Sequence, residues 1–364
     1  MTSRVGKRVR FGALIVVLVG AGLAASSTLF GDQPWRPYYQ AWASDSPWRR
    51  PLPGDVVIHP DSQRMIADLH AACGGDQSGP CKYPRLPGAA DGDALGSPYG
   101  SPVYLVSKDT PTYDVECVKY PCGIQGETGE ATRALFDVPI PRGARPDNSR
   151  DAHLVLYDPV RRLAWDLYAA TYDPAADRWE ARGGIRWDLS GPGTDLRTEP
   201  GGATAAGSPL MGTVVRPEEI RRALEDGTGV IPHVLSGGYS EARRDCWIEP
   251  FAKRTDGESE RRWAIPEGAV LQLDPSIDVT KLGLSKAAEV IARTLQRYGM
   301  VIRDHSGAFS IEVENVSVEG AVDGGRPNLW RELELSKDSL RPISSEMFRV
   351  VAWQADQARG PSCP

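Results

Sequence analysis

The chain has 364 residues, with 42 Lys and Arg against 48 Asp and Glu, a formal net charge of -6, and 10 Trp, 30 Pro and 38 Gly. The two signs of charge are interspersed and no basic stripe forms, which argues against nucleic acid as a partner. So much Pro and Gly argues against a helical protein, and a turn-rich chain with abundant tryptophan suits a β-sandwich whose surface rings can stack on sugars.

Arg4, Lys7, Arg8 and Arg10 precede the uncharged run FGALIVVLVGAGLAASS. This is the layout of a secretory signal, with Ala24 and Ser26 at the small positions before a cleavage site. The run is close to the minimum that crosses a bilayer, so an uncleaved single-span membrane anchor is the alternative. Residues 1–30 are therefore expected to be a signal peptide or signal anchor. The remainder is expected to be secreted or held on the outer face of the cytoplasmic membrane. All six cysteines (Cys73, Cys81, Cys117, Cys122, Cys246 and Cys363) follow that segment. An even number in an exported chain favours disulfide bonds. The simplest pairing joins the local neighbours Cys73 with Cys81 and Cys117 with Cys122, leaving Cys246 for Cys363. No tight Cys-x-x-Cys or His cluster suggests zinc, and no metal or cofactor is expected.

Residues 31–100 read as a Pro/Trp-rich arm, PWRPYYQAWASDSPWRRPLPGD, followed by a short helix and a loop. The helix begins at Asp61 or Ser62, which can cap it, and places Met65, Ile66, Leu69 and Ala72 on one face. His70 sits on its solvated flank. Residues 101–316 read as the core. Period-two patterns predict strands at 103–107, 113–118, 153–157, 163–170 and 178–188. Two helices follow. One starts at Pro217, with Glu218 and Glu219 in its first turn, and ends by Gly227. The other has the apolar stripe Leu284, Ala287, Ile291, Leu295 and Tyr298 and stops at Gly299. Next, MVIRDHSGAFSIEVE predicts a hairpin with Phe309, Ile311 and Val313 inward and Asp304, Glu312 and Glu314 on its solvated side. Residues 317–364 read as a C-terminal extension packing on the core, with a last strand near MFRVVAW. The fold class expected is mainly β, an antiparallel β-sandwich or jelly-roll-like core with one or two flanking helices.

The stretch RDAHLVLYDPVRRLAWDLYAATYD at 150–173 carries the candidate site. Leu154, Leu156, Leu163, Trp165, Leu167, Trp179, Ile185 and Trp187 are the large apolar residues and are assigned to the core. The opposite sheet face then gathers His153, Tyr157, Asp166, Tyr168, Arg182, Arg186 and Asp188. Asp166 and Asp188 could act as the carboxylate pair of a glycoside hydrolase. His153, oriented by Asp151, could assist them. Alternatively, His or Tyr beside an arginine could remove a proton next to an acidic sugar's carboxylate, as in a polysaccharide lyase. Tyr157, Tyr168, Arg182 and Arg186 would bind the sugar. The plainer expectation is a solvated face whose Asp and Arg residues pair across strands. His233, in GTGVIPHVLSGG, is either a buried hydrogen-bonded ring or a residue lining the site. His59 and His305 are assigned structural roles.

Several phrases in order, SPWRRPLPGDVVIHPDSQRMIADL, DAHLVLYD, AWDLYAA, TAAGSPLMGTVVRPEEI, GVIPHVL, IPEGAVLQLD and LQRYGMVIRD, span about residues 47 to 314. Together they resemble a family of exported, mostly actinobacterial β-sandwich proteins sometimes associated with carbohydrate-binding modules. The resemblance implies export and fold rather than a mechanism. Its Asp-x-His phrase falls on Asp151 and His153, its acidic strand residue on Asp166, and its histidine after Gly-x-Ile on His233. The chain departs from the pattern with Asp166 where Glu is expected and Val234 where Ala is usual.

The function expected is that of an exported polysaccharide-active protein, a glycoside hydrolase or a polysaccharide lyase, acting on a polysaccharide or cell-envelope glycan. The alternatives are a non-catalytic glycan-binding or envelope scaffold protein, and an assembly subunit whose arm docks on a partner.

Overall fold

The computed structural model describes residues 35–72, 81–89, 99–125, 132–194, 201–319 and 329–363. The expected signal or anchor segment, residues 1–30, lies outside them. Among the described residues no helix is long and apolar enough to cross a membrane.

The first nine strands are β1 (Val103–Leu105), β2 (Thr112–Cys117), β3 (Cys122–Ile124), β4 (Ala134–Pro139), β5 (Leu154–Asp158), β6 (Leu163–Tyr168), β7 (Thr171–Asp173), β8 (Arg178–Ala181) and β9 (Gly183–Asp188). Then come β10 (Leu235–Tyr239), β11 (Trp247–Ile248), β12 (Val270–Leu273), β13 (Met300–His305), β14 (Ser310–Ile311), β15 (Phe348–Val350) and β16 (Ala358–Arg359). The helices are α1 (Ser62–Ala71), α2 (Pro217–Glu225), α3 (Lys286–Arg297), α4 (Val316–Glu319) and α5 (Leu329–Glu332). The chain is mainly β with flanking helices, as its turn-rich composition implies.

Three larger sheets stack. An outer sheet has the order β4-β2-β8-β7, a central sheet β1-β5-β6-β9-β3, and a helix-backed sheet β14-β10-β13-β12-β15. All three are mixed: β2 with β8, β1 with β5, β3 with β9 and β10 with β13 run parallel. Leu154, Leu156, Trp165 and Leu167 of the central sheet pack with Val115, Leu135, Val138 and Trp179 of the outer one. The other face of the central sheet, with Val155, Tyr157, Ala164, Ile185 and Trp187, packs with Val234 and Val301. Behind the helix-backed sheet, Leu271, Met300 and Ile302 meet Met65, Ile220, Ile291 and Leu295 of α1, α2 and α3.

The central sheet is thus buried on both faces, and the solvated face expected for it does not exist. All five residues of β5 are buried. The physical reason is visible in the run Leu154-Val155-Leu156-Tyr157, which is apolar on both parities, the pattern of a strand covered on both sides. The expected strand 178–188 is two strands in different sheets, because the chain passes from the outer to the central sheet at Arg182.

The three expected helices form as α1, α2 and α3. Ser285 caps α3 by accepting from Ala288 N at 3.2 Å, and Gly299 takes the left-handed conformation, φ 73°, that stops it. The predicted hairpin does not form, since β14 pairs with β10, which lies between it and β13. From residue 35 onward the arm buries Trp42 and Trp48 completely in the layer between the central and helix-backed sheets. Burying a large apolar side chain contributes about 1.5–3 kcal/mol. Those rings are therefore consumed within the chain. The C-terminal segment adds β15 to the helix-backed sheet and pairs β16 with β11. Cys117–Cys122 and Cys246–Cys363 are bonded as expected. Cys81 is also disulfide-bonded, while its expected partner Cys73 lies outside the described residues.

Candidate functional site

A cleft of about 700 Å³ opens between the start of β5 in the central sheet and the end of β13 in the helix-backed sheet. Asp147, Asp151 and His153 line one side, and Arg303, Asp304, His305 and Glu312 the other, with Arg85 and Lys337 at the rim. A second cavity of about 270 Å³, lined by Tyr99, Arg150, Asp151, Tyr168 and Arg182, shares Tyr99 and Asp151 with it.

The cleft floor is Gly237-Gly238 of β10. A Cβ on Gly237 would lie 1.8 Å from Ser310 O, and one on Gly238 2.3 Å from Asp304 O. Only glycine lets the three strands approach this closely. Opposite this pair the register shifts: Gly237 pairs with Ile302 and Gly238 with Asp304, so Arg303 is the extra residue of a β-bulge. A bulge releases its strand from strict alternation and re-aims side chains. Arg303 and Asp304 consequently both line the cleft.

Asp304 is half-buried, and its carboxyl is pushed up to about 8. Burial is the main cause, reinforced by the negative charges of Asp256, Asp151 and Glu312 and opposed by Arg303. Glu312 is held by Ser101 Oγ at 2.7 Å and Arg303 Nη2 at 3.3 Å. Asp151 is exposed, and its carboxylate makes no hydrogen bond or salt bridge with a described residue. The cleft therefore sets a carboxyl that keeps its proton near neutrality beside a second carboxyl, Asp151, that has no hydrogen-bond or salt-bridge partner among the described residues. A carboxyl held protonated by its surroundings, with a second carboxyl lining the same cleft, is the raw material of acid and base chemistry.

His153 is present in the cleft but its ring is committed. Its Nε2 donates to Ala203 O at 3.0 Å, and Nδ1 faces Asp147 Oδ2 at 3.7 Å. Asp147, not Asp151, is the orienting carboxylate, and it also accepts from the His153 and Ser149 backbone N–H groups. Its own carboxyl is shifted upward by burial. The ring of Tyr168 lies 5.9 Å from that of His153, and Tyr120 lies 6.3 Å beyond it.

Five expected site residues lie elsewhere. Asp166 is completely buried and accepts from Trp187 Nε1 at 2.6 Å, Leu210 N at 2.8 Å and Met211 N at 3.3 Å. Its partners fill the space a substrate would need, which removes it as an acid or base. Tyr157 shares that inner face and is 2% exposed. Asp188 and Arg186 lie on the opposite face of the sheet, because Asp166 pairs with Ile185 and Trp165 with Arg186. Asp188 closes a turn by accepting from Ser190 N and Oγ. His233 is 1% exposed, with Nδ1 on Val234 O at 2.9 Å and Nε2 on Glu219 Oε1 at 3.2 Å. Arg216 holds the same Glu219 carboxylate at 2.7 Å, and despite its burial the Arg216 charge and the His233 hydrogen bond keep it down at about 2. This buried network fixes α2 and does not reach the cleft.

The residues brought together are Asp151, His153, Tyr168 and Arg182. Those missed were Asp304, His305, Arg303 and Glu312. Their one sequence signal was the glycine pair in LSGGY, which marks a close strand approach or bulge. Among the described residues no group of three or more His, Cys, Asp or Glu is arranged to hold a metal ion. No family model, curated protein or solved structure matches the chain.

Proposed function

We propose that the protein is an exported polysaccharide-active enzyme that binds a glycan chain along the joined cavities and cleaves it by acid and base catalysis. In this reading Asp304 donates a proton to the leaving oxygen, and Asp151 is the second carboxyl group, which activates water or attacks. His153, fixed by Asp147 and Ala203, shapes the wall and does not transfer protons. Tyr99, 55% exposed, and Tyr168 offer ring faces on which a pyranose can stack. The observation that carries the reading is Asp304, a carboxyl whose proton is held near neutrality in an open polar cleft, beside an Asp151 side chain with no partner among the described residues.

Non-catalytic glycan binding is the second reading, and one observation favours it: Glu312 and His153 are already engaged by protein partners. The test is a screen of the purified protein against envelope and plant polysaccharides, reading new reducing ends and unsaturated products. New reducing ends without unsaturation support hydrolysis. Binding to a polymer with no product of either kind sinks the enzyme reading and leaves the binding one.

A further inference from the structure

The smaller cavity carries a charge pattern that the acid and base chemistry does not use. Arg150 and Arg182 are both exposed, both line it, and neither guanidinium has a hydrogen bond or salt bridge to a described residue. Tyr99 and Tyr168 form its remaining walls, and Asp151 stands at the seam with the main cleft. Two guanidinium groups against one carboxylate leave the cavity net positive.

Free arginines on a surface are usually solvated, and these two differ in their setting. They flank a concave site of about 270 Å³, space for one sugar ring, walled by aromatic residues. Guanidinium groups suit planar, bidentate recognition of a carboxylate, and tyrosine faces suit the ring that bears it. The main cleft repeats the theme. Arg303, 2% exposed, has an Nε with no hydrogen-bond partner among the described residues. Arg85 Nε is likewise without a hydrogen bond, its nearest carboxylate being Asp338 Oδ1 at 3.8 Å. Buried donors of this kind gain from an acceptor oxygen supplied by a ligand.

We infer that the cavity formed by Arg150, Arg182, Tyr99 and Tyr168 is a subsite for a carboxylate-bearing sugar, so that the polymer taken by the cleft is a polyuronate. The inference rests on the glycan reading above and narrows it to an anionic substrate. Placing a uronate there sets its neighbouring glycosidic linkage toward Asp151 and Asp304.

The test measures binding of the full protein to oligogalacturonate, oligoglucuronate and oligomannuronate, each beside its carboxyl-reduced, neutral counterpart of equal length. The expected result is at least tenfold tighter binding of one acidic oligomer than of its neutral form. That preference should shrink to about threefold or less in the double variant Arg150→Gln/Arg182→Gln. Both arginines are exposed, so this variant should keep its fold, which a wild-type-like melting curve checks. Equal binding of acidic and neutral forms, or a preference unchanged in the double variant, overturns the inference. Failure of all the acidic oligomers also overturns it. Cleavage of a neutral polymer in the screen would then show that the broader glycan reading survives without it.

Discussion

The indole Nε1 of Trp187 donates to Asp166 Oδ2 at 2.6 Å, inside the layer that joins the central sheet to the helix-backed one. Two further donors, Leu210 N and Met211 N, converge on the same carboxylate. An acidic residue on a strand has become the clasp that pins the 203–214 loop to the sheet. Replacing it removes acceptor capacity from donors that have no other outlet. Asp166→Asn is expected to cost about 2–4 kcal/mol of stability, read by chemical denaturation. Glycan binding at temperatures where the variant is folded should be unchanged. Normal stability with lost turnover would return Asp166 to the chemistry.

Gly237 tests the construction of the cleft floor. Its Cβ position falls 1.8 Å from Ser310 O, a backbone atom that cannot swing aside. Gly237→Ala is expected to destabilise the protein by about 1–3 kcal/mol through overpacking and to weaken ligand binding in the cleft. Gly54, with open space around it, is the control position, and Gly54→Ala should leave both properties alone.

Glu267 is completely buried, and neither carboxyl oxygen meets hydrogen-bond geometry with a neighbour among the described residues. Asp256 and Asp304 nevertheless lie close enough to act on it. Burial chiefly, then Asp256 and the charge of Asp304, push its carboxyl up to about 10 from an ordinary value of 4.5. The native state therefore holds a proton that the unfolded chain has released, and stability falls as pH rises across that interval. Glu267→Gln should flatten this slope and stabilise the protein at pH 8 by about 1–3 kcal/mol. A slope as steep in the variant as in the wild type, or a variant no more stable than the wild type at pH 8, would contradict the burial argument.

The bond between Cys246 and Cys363 closes a loop with a sequence separation of 117 and joins the C-terminal strand β16 to the chain beside its partner β11. In the chain-entropy account a loop of this length contributes up to about 4–5 kcal/mol. A Cys246→Ser/Cys363→Ser variant should unfold at markedly lower denaturant. Loss of the five-residue link between Cys117 and Cys122 should cost much less.

Much of this architecture was legible in the chain, for reasons that differ by element. The helix at 286–297 announces itself through a capping serine, an apolar stripe and a stopping glycine, all local signals. The existence of β5 and β6 follows from the apolar residues at 154–157 and 163–167, although their ends, expected at 153–157 and 163–170, fall at Leu154–Asp158 and Leu163–Tyr168. What covers those strands is a long-range fact. Trp42 and Trp48 arrive from a segment more than a hundred residues away, and the helix-backed sheet forms after residue 234. Asp166 could not be distinguished by pattern from a solvated carboxylate. The cleft was hidden for a similar reason. Asp304 and Glu312 sit in a polar and apolar alternation that reads as an exposed hairpin, and only the insertion of β10 and the bulge at Arg303 turn them toward Asp151. The parts of the site that were legible, Asp151 and His153, lie in a turn leading into a strand, where local sequence and position coincide.

The central claim is that Asp304 is the proton donor of a glycan-cleaving cleft. It is tested most directly by the pH–rate profile of wild type and Asp304→Asn on a polymer that the screen finds cleaved. The account predicts an alkaline limb near pH 8 in the wild type, where the Asp304 carboxyl loses its proton. It also predicts turnover lower by about 10²–10⁴-fold in Asp304→Asn, with binding of the polymer retained. Turnover of Asp304→Asn within about threefold of wild type, with the same alkaline limb, would contradict it.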